Sequence, residues 1–273
     1  MKCANFEYLL GSVIHFYVCR LKHPWKSKVV GHYWPLFCMR PWWITYDGTL
    51  RFKADLNDYI QNTIFCKAYY EPILVTWLKE HLKPTDIFWD VGANVGAIAL
   101  IAAKLCKSIY AFEPDPTNRA LLEEHVSVNA LHNISVMPLA LANADGVSQL
   151  SLGFATNSGT HSLVKTTIGN GSIQVITHRA DTLIETNTIA PPTVMKIDVE
   201  GAEWLVLQGA AQLLKSPTLT TIIFETEEGA YSMPAYKQIT QCLENNGFLI
   251  SVLGRSDPEA HDGLNNFIAV REA

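Results

Sequence analysis

Hydrophobic and polar positions follow two rhythms along this chain. From residue 86 onward, apolar runs of strand length, "DIFWDVG", "SIYAFEPD", "ISVMPLALAN", "TVMKIDVEG" and "LTTIIFET", alternate with segments of helical spacing. The runs are rich in Ile, Val and Phe and read as strands buried on both faces. The predicted helices are 95–107, apolar all round and therefore buried; 116–130, with Pro116 in its first turn; 201–215; and 234–246, which stops at Gly247. Before them, "YYEPILVTWLKEHLKPTD" sets Ile73, Leu74, Trp77, Leu78 and Leu82 near helical spacing and ends at Pro84. Strands alternating with helices predict a three-layer α/β/α fold, Rossmann-like, with a parallel sheet. The last two runs, "FLISVLG" and "NFIAVRE", have no helix between them, which predicts one antiparallel strand at or near an edge.

Two stretches break the rhythm. Residues 147–183 hold "SQLSL" and "SIQVITH", which alternate like strands around a Gly/Thr/Asn-rich loop, and predict a β-hairpin insertion lying over one end of the sheet. Residues 1–53 predict a helix near 4–20 and irregular structure through "HPWKSKVVGHYWPLFCMRPWW". Composition marks this lead segment off. It carries eight Lys/Arg against two acids and four of the seven tryptophans, Trp25, Trp34, Trp42 and Trp43, whereas the remainder is strongly acidic and the whole chain carries −5. The division expected is an aromatic, basic extension over 1–58 and one α/β domain over 59–273. The opening stretch is interrupted by Glu7 and His15, too short and broken for a membrane span and without a signal-peptide cleavage site. The six cysteines form no CxxC and no zinc spacing with His, so they read as reduced thiols in a cytoplasmic setting. The histidines form no HxxxH or HExxH pattern, so no protein-built transition-metal site is expected. The net negative charge argues against a general nucleic-acid binder.

The chemistry centres on "DVGANVG", residues 90–96, a turn from strand to helix. Gly92 and Gly96 allow close backbone approach to a ligand, and Ala93 and Asn94 lie between them at the amino end of the helix. A glycine turn of this kind can also be merely structural. Glu113, 21 residues beyond Gly92 at the end of the next strand, sits where a mononucleotide-binding βαβ unit presents a carboxylate to both ribose hydroxyls. The turn is not GxGxxG, and Asp90 would repel a pyrophosphate but attract an ammonium. Together these features point to S-adenosylmethionine.

The chain resembles the FkbM-type methyltransferases, a class I S-adenosylmethionine-dependent family. The resemblance rests on "YYEP" (69–72), "DVGANVG" (90–96), "FEPDP" (112–116), "LALANADG" (139–146), "HRADTLI" (178–184), "MKIDVEGAEWLVLQGA" (195–210), "IIFET" (222–226) and "NFIAV" (266–270), in family order. "KIDVEGAE" after "DVGANVG" is its most specific part. It departs at Ala180, where the family commonly has Leu, and it leaves residues 1–53 uncovered. It implies a class I sheet of about seven strands and an O-methyltransferase acting on a hydroxyl of a small molecule or glycan. It also implies a cofactor site built from Asp90, Gly92, Ala93, Asn94, Gly96, Glu113, Pro114, Ala140, Leu141 and Asp198.

Asp198 and Glu200 lie at the carboxyl end of the fourth strand, where open α/β sheets hold their ligands. Two apart, they share a side if the strand stays extended. Glu225 ends the fifth strand and Glu71 starts the helix before the sheet. These four acids are the candidate catalytic residues, as a general base or as ligands of a divalent cation, acting on a hydroxyl. Lys196 alternates onto the same side and is expected to pair with one of them. The competing reading of Asp198 and Glu200 is a cap on the following helix. Two other functions stay open. A nucleotide-dependent oxidoreductase would need a hydride-handling residue set, which is not evident. A non-catalytic methyltransferase-fold binding protein would typically have lost the glycine turn or the ribose acid, and both are intact. For the extension, packing against the sheet as a lid or a dimer contact is preferred over membrane-surface contact, because Glu7 and His15 spoil a clean apolar face.

Overall fold

The computed structural model describes residues 2–20, 26–153, 156–164, 171–227, 234–255 and 264–272. Its central sheet has seven strands: β3 (Ile87–Val91), β4 (Ser108–Phe112), β5 (Ile134–Met137), β9 (Val194–Ile197), β10 (Thr221–Glu227), β11 (Phe248–Arg255) and β12 (Leu264–Arg271). They lie in the order β11-β12-β10-β9-β3-β4-β5. β3, β4, β5, β9 and β10 pair in parallel, and β12 runs antiparallel to both of its neighbours. The antiparallel strand is thus second from the edge.

Period-two alternation gives the sheet two faces. Phe88, Ile109, Ala111, Val194, Ile223 and Ile268 point into one core. Trp89, Val91, Phe112, Met195, Ile197, Ile222, Phe224 and Phe267 point into the other. The first core is closed by α3 (Tyr59–Lys67), α4 (Pro72–His81) and α5 (Ala97–Ala102). The second is closed by α7 (Ala180–Glu185), α8 (Glu203–Gly209) and α9 (Pro234–Asn245). All six residues of α5 are buried, as its unbroken apolar sequence requires. α6 (Pro116–Val128) starts from Asp115, whose carboxylate accepts from the Thr117 and Asn118 N–H groups.

Several elements differ from expectation. α5 and α8 stop short of residues 107 and 215, and a 3₁₀ turn, Leu213–Lys215, replaces the end of the second helix. The expected third strand divides at Pro138: β5 stays in the main sheet, while β6 (Ala140–Leu141) joins β7 (Gly146–Ser151) and β8 (Ser172–His178) in a separate sheet ordered β6-β8-β7. β7 and β8 are the antiparallel pair of the predicted insertion. Part of the loop joining them lies outside the described residues.

The lead segment is more regular than its sequence suggests. It contains α1 (Lys2–Arg20), α2 (Lys26–Phe37) in place of irregular chain, and an antiparallel hairpin of β1 (Trp42–Tyr46) and β2 (Leu50–Ala54). Pro35 lies inside α2, near its end, where its missing N–H leaves one helical hydrogen bond unmade. The hairpin turns through Asp47 and Gly48, both left-handed at φ 44° and 77°. An Asp-Gly pair flanked by alternating side chains is a strong hairpin signal, and the sequence carries it. Ile44, Tyr46, Leu50, Phe52 and Ala54 are buried in the first core, so the extension is continuous with the interior of the α/β fold. Trp25 lies outside the described residues.

Candidate functional site

The carboxyl ends of β3, β4 and β9 open into two adjoining cavities. The first, about 540 Å³, is lined by Gly92, Asn94, Glu113, Pro114, Ala140, Leu141, Asp198 and Glu200, among others. The second, about 470 Å³, is lined by Tyr70, Glu71, Asp90, Gly92, Ala93, Asn94, Lys196, Asp198 and Glu200, among others. Gly92, Asn94, Gly159, Asp198 and Glu200 belong to both.

The glycine turn forms the rim they share. Gly92 has φ +85°, and a Cβ there would overlap the Asp198 carbonyl oxygen. Only glycine lets β3 leave the sheet this close to β9. Gly96 serves packing instead. It borders neither cavity, and a Cβ would strike the Leu122 side chain. Asn94 is left-handed at φ 51°, and its own Oδ1 accepts from the Val95 N–H at 2.7 Å. Asn adopts that conformation with little penalty.

Glu113 is 5 % exposed and accepts from the Asn94 N–H and the Asp115 N–H, each at 2.8 Å. Burial pushes its pKa up to about 8, although these two N–H groups oppose the shift. The carboxylate therefore ties the glycine turn to the end of β4.

Opposite it lies a charged cluster. Alternation puts Asp90, Lys196, Glu225 and Asn266 on one face of the sheet, the face covered by α3 and α4. Asp90 and Lys196 are direct neighbours across β3 and β9, and Glu225 and Asn266 across β10 and β12. Lys196 is buried, with Nζ 2.8 Å from Asp198 Oδ2 and 3.8 Å from Glu71 Oε2. Burial works against the ammonium, but Asp198, Glu71 and Asp90 outweigh it and hold its pKa above the ordinary lysine value. Glu71 is buried and accepts from Asn266 Nδ2 at 2.9 Å; burial raises its pKa against the pull of Lys196. Asp90 is fully buried, and among the described residues neither carboxylate oxygen has a hydrogen-bond partner of good geometry, the Ala99 N–H approaching closely enough only to oppose the rise in its pKa. Its pKa rises to about 6 through burial, opposed by Lys196 and reinforced by Asp198. A buried carboxylate short of donors at a cavity wall fits a ligand that brings a cation or donors. Glu113 at the other cavity fits a diol. The residues present thus suit S-adenosylmethionine, with its ribose and its ammonium.

Of the candidate acids, Asp198, Glu200 and Glu71 meet at the cavities, while Glu225 is half-buried and does not line either one. It does face Tyr70: burial, then Glu225, Asp198, Glu71 and Glu200, raise that phenol's pKa well above its ordinary value. Asp198 and Glu200 are not related by an extended strand. β9 ends at Ile197, and the chain turns through Glu200 and Gly201 at φ 54° and 94°. Nor does either cap α8, whose N-cap is Ala202 and makes no side-chain cap bond; Glu203, in the first turn, instead accepts from the Val199 and Gly201 N–H groups of the turn before it, at 3.3 and 3.1 Å. Among the described residues no group of three or more His, Cys, Asp or Glu could hold a metal ion, so the divalent cation weighed as an alternative to a general base finds no such group there.

Sequence reasoning missed Tyr70, Asn266 and the insertion residues Ser158, Gly159 and His161, which line the first cavity beside the glycine turn. Ser158 Oγ reaches Asn94 Oδ1 at 3.3 Å. The only signal for the latter three was the placement of the insertion over one end of the sheet.

A hexuronic acid methyltransferase, AglP, of Haloferax volcanii is 31% identical over 159 residues, 58% of this chain and 63% of that protein. An uncharacterised protein of Methanocaldococcus jannaschii is 32% identical over 82 residues, 30% of this chain and 28% of that protein. The matches therefore span less than two thirds of either relative. Among solved structures, an FkbM methyltransferase from Methylobacillus flagellatus aligns with TM-score 0.47 at 13% identity, covering 90% of this chain and 60% of that one. A precorrin-6y C5,15-methyltransferase from Geobacter metallireducens aligns with TM-score 0.47 at 16% identity, covering 76% and 89%. The model of the methyltransferase FkbM domain matches residues 90–250, which spans the glycine turn, Glu113, the lining of the first cavity and "KIDVEGAE", and the chain belongs to that family.

Proposed function

We propose that this protein is an S-adenosylmethionine-dependent O-methyltransferase whose acceptor is a hydroxyl of a sugar or a related small molecule. The sugar reading is supported by the name of the Haloferax volcanii relative, a hexuronic acid methyltransferase. The observation that carries the reaction is the position of Asp198. It lines both cavities, and Lys196 Nζ holds its Oδ2 at 2.8 Å.

The cofactor, when bound, supplies a methyl group on a sulfonium, already a good leaving group. The chain's own task is alignment and removal of one proton. Glu113 would accept from the ribose hydroxyls, with Pro114, Ala140 and Leu141 beside it in the first cavity. Asp90, with Gly92 and Ala93, would face the ammonium in the second. Lys196 anchors one oxygen of Asp198 and thereby orients the other, Oδ1, to take the acceptor hydroxyl's proton. Glu71 takes no direct part: it is the second anion that keeps Lys196 charged and in place. Tyr70, whose phenol stays protonated, can donate to the acceptor. Glu200, at the junction, adds negative potential where positive charge must be held.

Asp198→Asn keeps the shape and removes the base. Cofactor affinity, measured by calorimetry, should be retained, while transfer of labelled methyl to a sugar acceptor should fall by about 10²–10⁴. Equal loss of both would make Asp198 a cofactor residue and move the base elsewhere.

A further inference from the structure

We propose that the outer face of α1 docks on an anionic lipid surface. α1 is amphipathic in an unusual sense: both of its long faces are apolar. The inner face is held by Val18, by His15, whose Nδ1 lies 2.8 Å from the Phe65 carbonyl, and by Gly11, where a Cβ would overlap the Trp43 carbonyl. The outer face carries Leu9, Val13 and Phe16, at i, i+4 and i+7, which are 62%, 58% and 57% exposed. Arg20 extends the same stripe by one turn and is exposed. The residues that interrupt the apolar character of this helix in sequence are not on that stripe. His15 is turned inward, and Glu7 is committed to Arg40 at 2.7 Å. Elsewhere in the lead segment Tyr33, Leu36 and Met39 are also exposed.

Charge selects the occupant. The first 53 residues hold eight Lys/Arg and two acids; Glu7 pairs with Arg40, Asp47 with Lys79 and Lys104, and Lys53 with Glu124, which leaves the segment with an excess of positive charge. The remaining residues carry thirteen Lys/Arg and twenty-four acids. An anionic surface attracts this end of the molecule and repels the rest, which orients it as well as binding it. A second copy docking through the same face would set two basic surfaces against each other. No described helix is long and apolar enough to cross a membrane, so the contact is one of lying on the surface. The inference is independent of the proposed reaction.

The test is co-sedimentation of the full chain with vesicles of phosphatidylcholine containing about one quarter phosphatidylserine, against vesicles of phosphatidylcholine alone. The full chain should sediment with the anionic vesicles and be released by high salt. Leu9→Gln/Val13→Gln/Phe16→Gln should lower its partition by about tenfold or more, with melting temperature and cofactor affinity unchanged. The same three positions changed to Ala, which favours helix, give the matching result if the Gln set unfolds α1. No sedimentation, equal sedimentation with neutral vesicles, or equal sedimentation of the variant overturns the proposal. So does a dimer in size-exclusion chromatography that the triple substitution converts to monomer, because the face then belongs to a second copy.

Discussion

Two buried carboxylates define the site, and each is costly without a ligand. Glu113 rises from 4.5 to about 8 and Asp90 from 3.8 to about 6, in both cases chiefly through burial. In this range the folded chain keeps protons that the unfolded chain has already released, so raising the pH favours unfolding. The stability these groups contribute is complete below the unfolded values and is lost as pH rises through the folded ones. His125, held at about 4 against an ordinary 6.5, works the other way below pH 6.5, so without cofactor the fall in melting temperature due to Glu113 should be clearest between about pH 6.5 and about pH 8. Glu113→Gln should flatten the upper part of that decline, and a profile identical to the unsubstituted protein would show that Glu113 is already ionised. Glu113→Ala should weaken S-adenosylmethionine binding by about 1.5–3 kcal/mol, the range for hydrogen bonds to a charged group. Calorimetry showing unchanged affinity would remove the ribose assignment.

His125 links elements that the sequence keeps far apart. It is buried on α6; its Nε2 accepts from the Lys53 N–H of β2 at 2.9 Å, so Nδ1 carries the proton and donates to the Val95 carbonyl at 2.9 Å. Burial lowers its pKa to about 4, which keeps it neutral and able to play both parts. Phe52 stacks on the ring, with centroids 4.3 Å apart. Tyr46 adds a second tie from the hairpin, donating to the Ala97 carbonyl in the first turn of α5 at 3.0 Å. The lead hairpin thus braces the carbonyls that follow the glycine turn. His125→Phe preserves the stacking and leaves one buried carbonyl and one N–H unpaired, at about 1–3 kcal/mol each. It should lower stability in urea and also weaken cofactor binding. Loss of stability with cofactor affinity untouched would mean that the brace supports the core without shaping the turn.

Across the whole molecule, the basic extension and the acidic α/β unit share one interior. Ile44, Tyr46 and Phe52 lie in the same core as Leu74, Ile98 and Ile223. Removing residues 1–53 would strip a layer from that core and expose Ile64 and Phe65, both fully buried. The truncated chain should lose its cooperative thermal transition and bind a hydrophobic dye, as measured by circular dichroism and fluorescence. A truncated chain that melts cooperatively and binds cofactor normally would show that the extension is an appendage.

What was legible from sequence is what local physics controls. Continuous apolar runs in "DIFWDVG" and "LTTIIFET" read as strands covered on both faces, and the missing helix before "NFIAVRE" forces an antiparallel return. Gly92 was legible because a sharp turn beside a strand end needs a residue without Cβ, and so was the position of Glu113 at the end of the next strand, where it lines the same cavity. Long-range pairing was not legible. Glu71 meets Asn266 across 195 positions, Lys196 chooses Asp198 over Asp90 and Glu200, and Ser158 reaches Asn94 from the far side of an insertion. None of these contacts leaves a period or a spacing, since each depends on which strands lie side by side and where a loop folds back. The same holds for His15, which interrupts an apolar helix in the sequence yet turns inward in the fold. A helix has one sequence but two faces, and only the neighbours it packs against decide which of them remains in solvent.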